Sequence, residues 1–181
     1  VDESVKAIGA ANTVIWRDGQ RLGTNTDAAG FTKAVCSFLG LQSINGMRVA
    51  IVGAGGAAKA IAYAVCEQGA IGAVFARNLE KAEEVALPYG FEAYTLDKLT
   101  PKWNPNLIVQ CTSVGHGSTN PNDDPIPTYH FNGTEALYDL VYNPAETPIM
   151  ARARKAGCKA ESGMTMLIAQ AERQHQEFFT K

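Results

Sequence analysis

Val49-Ala50-Ile51-Val52-Gly53-Ala54-Gly55-Gly56-Ala57-Ala58 is the stretch that decides the fold. A short apolar run enters it, glycines turn it, and an alanine-rich segment leaves it toward Gln68, where Gly69 ends the pattern. Strand before and helix after is the context that gives a Gly-x-Gly-x-x-Gly/Ala spacing its meaning. Gly53 permits the tight turn, Gly55 lets a pyrophosphate approach the backbone, and Ala58 keeps helix and strand close. The helix start offers unpaired N–H groups and the positive end of a dipole to phosphates. A plain strand–helix turn is the bland alternative. A second strand at Gly72–Phe75 completes a βαβ unit and favours a dinucleotide.

Outward from this loop the pattern alternates. Toward the start, Phe31, Ala34, Val35, Phe38 and Leu39 repeat at helical spacing and Gly40 supplies the stop. Residues 1–27 read as extended and turn-rich: a strand at Asn12–Trp16, a turn at Arg17-Asp18-Gly19-Gln20 and a return strand at Arg21–Asn25. Toward the end come a helix at Leu79–Leu87 closed by Pro88-Tyr89-Gly90, and strands at Phe91–Tyr94, Leu107–Cys111 and Ala136–Tyr142. A helix at Pro148–Ala156, a strand at Lys159–Glu161 and a closing helix at Met164–Phe179 follow. Alternating strands and helices predict an α/β fold, a three-layer, doubly wound, mainly parallel sheet of about six strands, of Rossmann type. Gly115–Thr128 is rich in Gly, Ser, Asn, Asp and Pro and reads as a surface loop, of a length often used for lids. In the last helix Met164, Leu167, Ile168, Ala171 and Phe178 form one apolar stripe, with Met166 and Gln170 off it.

With 181 residues, 46 % hydrophobic and 19 % charged, the chain has the composition of one globular domain, or a domain with appendages, able to bury a core unaided. Sixteen basic against eighteen acidic side chains leave a net charge of −2, which disfavours nucleic acid or an acidic membrane as partner. The cysteines at 36, 66, 111 and 158 form no Cys-x-x-Cys pair and read as free, mostly buried thiols of a reducing, cytoplasmic compartment. His116, His130 and His175 share no metal-ligand spacing, so no metal is expected. The start has no signal-peptide pattern, and the opening Val-Asp-Glu-Ser without Met suggests a processed or cut chain.

The end of the second strand separates NAD from NADP. NAD readers place Asp or Glu there; this chain has Phe75-Ala76-Arg77-Asn78-Leu79-Glu80-Lys81. Arg77 stands where a 2′-phosphate would arrive, and Lys81 lies one helical turn on. A planar guanidinium suits a phosphate, and cations at a helix start oppose its dipole unless an anion binds. These residues favour NADP(H) over two merely solvated basic side chains.

Further segments act together: Ile8-Gly9-Ala10-Ala11-Asn12-Thr13-Val14, Gly23-Thr24-Asn25-Thr26-Asp27-Ala28-Ala29-Gly30-Phe31, Cys111-Thr112-Ser113-Val114-Gly115, Tyr142-Asn143-Pro144 and Gly163-Met164-Thr165-Met166-Leu167-Ile168-Ala169-Gln170-Ala171. With the glycine loop they resemble the shikimate/quinate dehydrogenase family, collinearly and over essentially the whole chain. The resemblance implies reduction of 3-dehydroshikimate to shikimate with NADPH, in chorismate and aromatic amino-acid biosynthesis. A dehydrogenase-like relative with another substrate or NAD preference, or a non-catalytic nucleotide-binding module, are the competing readings.

The same resemblance distributes roles. Asp27 matches the family's catalytic and substrate-holding Asp; from spacing alone, a helix N-cap is an equal alternative. Asn12, Tyr142 and Gln170 match substrate-binding positions. Gly53, Ala54, Gly55, Gly56, Ala57, Ala76, Arg77, Asn78 and Lys81 match cofactor-binding positions, and Thr112, Ser113, Leu140, Gly163 and Met166 match positions lining the cofactor. There are departures: Ala76-Arg77-Asn78 stands for the family's Asn-Arg-Thr, Gln110-Cys111 for Asn-Ala, and His116 for Met. The implied division is a connecting segment and substrate-side hairpin at 1–27, the NADP-binding domain at 28–163, and a closing helix at 164–181 that returns toward an N-terminal substrate domain. The family carries its catalytic Lys and anchoring Ser residues in that domain, ahead of Val1, so this chain alone is expected to be nearly inactive. Its expected partners are that domain and the small-molecule substrate, with room for a homodimer.

Overall fold

The computed structural model describes residues 1–17, 19–118 and 120–179. The chain enters through a helix, α1 (Glu3–Ile8), where an extended segment was expected. Asp2 caps it, its carboxylate accepting from the Val5 N–H at 2.9 Å, and Val5 and Ile8 are buried beneath it. Six residues are too few to show helical periodicity, so capping and tertiary burial decide the conformation. β1 (Thr13–Arg17) then pairs antiparallel with β2 (Gln20–Thr24). The turn expected at Arg17–Gln20 includes Asp18, which lies outside the described residues. The long helix α2 (Asp27–Leu39) follows, with Gly40 in the left-handed conformation at its end.

The remaining elements are β3 (Arg48–Val52), α3 (Gly56–Glu67), β4 (Ile71–Ala76), α4 (Leu79–Ala86), β5 (Glu92–Thr95), β6 (Leu107–Gln110), β7 (Ala136–Asp139), α5 (Pro148–Lys155), β8 (Ala160–Ser162) and α6 (Met164–Phe179). The six strands β3 to β8 form one wholly parallel sheet in the order β5-β4-β3-β6-β7-β8. The strand order therefore reverses at β3, and a crevice opens where β3 and β6 end side by side. In open α/β sheets ligands bind at this switch point.

Both faces of the sheet are buried, which is why its strands are apolar runs rather than alternating ones. Val49, Ile51, Val74, Leu107, Val109 and Tyr138 pack against α2, α3, α4 and the start of α6. Ala50, Val52, Ala73, Phe75, Ile108 and Leu137 pack against α5 and the segments carrying Leu99, Ile126 and Tyr129. Fully burying one such side chain stabilises the fold by about 1.5–3 kcal/mol.

α6 departs from its sequence pattern. Met164, Leu167, Ile168 and Phe178, the apolar stripe, are exposed, while Met166 and Ala169 are buried. The cause is Gly30 on α2. A Cβ there would stand 2.7 Å from Gln170 Cβ and 2.9 Å from Gln170 N. The missing side chain lets the two backbones nearly touch, and that contact, not the hydrophobic stripe, sets which side of α6 faces inward. Among the described residues no helix is long and apolar enough to cross a membrane.

Candidate functional site

Two sites are built at the C-terminal edge of the sheet and beside it. The first is a groove of about 890 Å³ at the switch point. Its floor is the turn after β3. Gly53 has φ +112°, and a Cβ there would meet Thr112 Cγ2 at 2.9 Å, so conformation and space both require glycine. Gly53 N–H donates to the Phe75 carbonyl at 2.8 Å, tying the turn to the end of β4. Gly55 differs. It is extended at φ −91°, and a Cβ on it would meet no protein atom within 4 Å; the same space is open at Gly56. Nothing in the protein demands glycine at either position, whereas a phosphate lying on the backbone would. No side chain caps α3 and its first turn carries no acid, so no acidic side chain of its own competes for its N–H groups; Asp123 and Asp124 line the groove from the loop after β6. Ala58 is fully buried between helix and sheet.

Ala76, Arg77, Asn78 and Lys81 line the same groove at the end of β4. Arg77 and Lys81 are exposed and, among the described residues, form no ion pair. Asn78 has a structural task as well: its carbonyl oxygen caps α4 by accepting from the Lys81 N–H at 3.1 Å. Thr112 and Ser113 form the opposite wall after β6. Gly56 and Ala57 are exposed on the first turn of α3. Leu140, Gly163 and Met166 sit further along the sheet, after β7 and β8. Gly163 lies so close to Leu140 that a Cβ would collide with the Leu140 carbonyl oxygen at 2.1 Å. Met166 is buried in the core.

The second site is a polar cluster at the head of α2. Asn12 Nδ2 donates to Asp27 Oδ1 at 2.8 Å and to Thr26 Oγ1 at 3.0 Å. Asn12 Oδ1 accepts from the Thr26 N–H at 3.0 Å. Thr26 Oγ1 in turn donates to Gln170 Oε1 at 3.2 Å. Asn12, Asp27 and Gln170, 158 positions apart in sequence at the extremes, thus meet through Thr26, which is almost completely buried. Asp27 is not the helix cap: Thr26 holds that position without a side-chain cap bond, and the Asp27 N–H is taken by Asn25 Oδ1 at 3.0 Å. Its carboxylate is left half-buried, with Asn12 as its partner. Burial pushes its pKa up, and the Asn12 bond partly opposes this. Gln170 is half-buried toward α2 rather than on a solvated polar face. Tyr142 stands apart from this cluster, exposed, with its ring edge-on to His116 at 6.2 Å.

No protein-family model matches the sequence. Curated relatives do. The chain is 34 % identical over 174 residues to the NADP(+) shikimate dehydrogenase of Shouchella clausii, covering 94 % of this chain and 63 % of that protein. It is 34 % identical to that of Pelodictyon phaeoclathratiforme, over 92 % of this chain and 61 % of that one. The chain is thus similar in sequence to shikimate dehydrogenases. It spans less than two thirds of the length of these relatives. A crystal structure of a shikimate dehydrogenase in complex with NADP+ superposes with a TM-score of 0.90 at 27 % identity, over 98 % of this chain and 64 % of that one. The Thermus thermophilus shikimate dehydrogenase in complex with NADP(H) and shikimate superposes at 0.85 with 32 % identity, over 98 % and 65 %. A quinate dehydrogenase from Corynebacterium glutamicum in complex with NAD also matches, at 0.85 and 27 % identity, over 98 % and 65 %. The parallel sheet flanked by helices is thus the architecture of shikimate dehydrogenase structures.

Some residues around the site were given no role by the sequence. Thr26 is one. Gln110 and Asp139, buried at the ends of β6 and β7, are two more. Arg152 of α5 is a fourth: it reaches the 115–128 loop, pairing with Asp124 at 2.8 Å, donating to the Ile126 carbonyl at 2.8 Å and to the Tyr129 carbonyl, with its guanidinium 4.9 Å from the Phe131 ring centre. The second half of that loop is therefore pinned, not a free lid. The thiols also differ from expectation: Cys36 and Cys158 are buried, but Cys66 is exposed.

Proposed function

We propose that the chain is the cofactor-binding portion of an NADP-dependent shikimate dehydrogenase, an oxidoreductase reducing 3-dehydroshikimate to shikimate with NADPH. The observation that carries this reading is the coexistence, in a chain similar to these enzymes, of an uncapped glycine turn facing two cations that form no ion pair among the described residues and a separate polar cluster centred on Asp27. A nucleotide-binding module alone has no use for the cluster.

Residues 28–163 form the NADP-binding unit in this reading, with 1–27 and 164–181 on the substrate side. The α3 N–H groups hold the pyrophosphate, and Arg77 and Lys81 take the 2′-phosphate. Bound NADPH supplies the hydride. Asp27, held by Asn12, orients a substrate hydroxyl and the family's lysine; Gln170, fixed through Thr26, offers its amide to the substrate. Tyr142 contributes from the end of β7. Lys6 is not placed at the Asp27 cluster: it is exposed and pairs with Glu3 at 2.7 Å. Turnover in this reading needs the family's lysine beside Asp27. A cytoplasmic location fits four free thiols; a homodimer is testable by sedimentation.

Titration calorimetry of the chain with NADPH and NADH tests the reading. Arg77→Ala should weaken NADPH by about tenfold to a hundredfold, the worth of one charge-assisted hydrogen bond, and leave NADH unchanged. Equal affinity of the unaltered chain for the two cofactors would shift the reading toward an NAD-using, quinate-type enzyme.

A further inference from the structure

The last rung shared by β6 and β7 pairs Gln110 with Asp139. Both side chains are fully buried, at 0 % exposure, in strands that are otherwise apolar. Buried polar groups are costly unless bonded, so where their bonds go is informative. Gln110 Nε2 donates to the carbonyls of Thr112 at 3.1 Å and Val114 at 3.0 Å, and its Oε1 accepts from the Thr112 N–H. Asp139 Oδ1 accepts from the Val141 N–H at 3.0 Å, and Oδ2 from the Thr147 hydroxyl at 2.6 Å. Each side chain thus binds the loop that follows its own strand. Just beyond the pair, the Leu140 N–H donates to the Gln110 carbonyl at 2.9 Å, tying the two strand ends together.

None of these five side-chain bonds belongs to the sheet ladder; an apolar residue at either position would leave it intact. All five hold loops. One loop carries Thr112 and Ser113, the groove wall opposite Arg77; the other carries Leu140 and Tyr142. With the 2′-phosphate end of a dinucleotide at β4, its other end lies across the turn, on the side of β6 and β7.

We propose that Gln110 and Asp139 are paired positioning residues, which set the two loops that receive the nicotinamide half of the cofactor and leave the adenosine half untouched. This rests on the NADP-binding reading above. The nicotinamide half then binds well only while both loops are held, and the β4 end binds regardless.

Titration calorimetry with two probes separates the halves: NADPH, and 2′,5′-ADP, which contains only the adenosine 2′-phosphate end. In Gln110→Met and in Asp139→Leu, each of which removes that side chain's loop bonds, NADPH affinity should fall about tenfold, equivalent to ~1.4 kcal/mol, with 2′,5′-ADP within twofold of the unaltered chain. Unchanged NADPH affinity in both variants, or parallel loss of both probes, would overturn the proposal. Should either variant fail to fold, the other decides alone. If the unaltered chain binds neither probe, the NADP-binding reading itself fails and takes this proposal with it.

Discussion

Gly30→Ala sets two physical effects against each other. In an ordinary helix interior the change stabilises by about 0.5–1 kcal/mol, because alanine loses less backbone freedom on folding. Here the new Cβ would lie 2.7 Å from Gln170 Cβ, 2.9 Å from Gln170 N and 3.0 Å from Gln170 Cα. Carbon atoms in contact prefer about 3.5–4 Å, so α6 must retreat by about 1 Å. Two of the three obstructing atoms are backbone, and no rotamer change relieves them. Overpacking of this kind costs about 1–3 kcal/mol, and the upper part of that range exceeds the propensity gain. The net expectation is about 1–2 kcal/mol of destabilisation. For a chain of this length that lowers Tm by roughly 2–8 °C. The same retreat stretches the 3.2 Å contact between Thr26 and Gln170 past hydrogen-bonding range. Scanning calorimetry of both proteins is the assay. A Tm that is unchanged or higher would refute the claim that backbone contact at Gly30 sets the facing of α6.

Gly55→Ala should dissociate stability from binding: its Cβ meets no protein atom, so unfolding free energy should fall by no more than the roughly 1 kcal/mol that separates Gly from Ala at a helix N-cap, while NADPH affinity should fall by an order of magnitude or more; calorimetry reads both, and unaltered affinity would show that the open space is not the cofactor's. Burial raises the Asp139 carboxyl to about 6 from 3.8. Between these values the folded chain binds a proton that the unfolded chain does not, so this group makes stability fall as pH rises, by roughly 3 kcal/mol in all across that window. Urea unfolding at about pH 4.5, below the folded value, and at about pH 7.5, above it, should show a smaller pH dependence in Asp139→Asn than in the unaltered chain; equal dependence would place the titration elsewhere.

The parallel sheet was legible because its central strands β3, β4, β6 and β7 are largely apolar runs ended by turn residues, with helix patterns between them. The glycine turn was legible because strand and helix both adjoin it. α1 was not, since one and a half turns carry too little pattern to read. The facing of α6 was misread for a different reason. Its hydrophobic stripe is real, but Gly30, 140 positions from Gln170, decides the contact, and no local pattern announces a close approach of backbones. Asp27 before an apolar-periodic helix imitates a cap; only the positions of Thr26 and Asn25 show that it is not one. Gln110 and Asp139 look in sequence like polar ends of strands. Their roles appear only when register places them side by side.

Arg152 has a consequence for rates. A loop that must order around its ligand charges the lost chain entropy to binding and can make association wait for closure. Here Asp124, Ile126 and Tyr129 are held by one guanidinium within the protein itself, so for that wall of the groove the ordering cost falls on folding. Cofactor exchange there should follow encounter and departure rather than the motion of a gate.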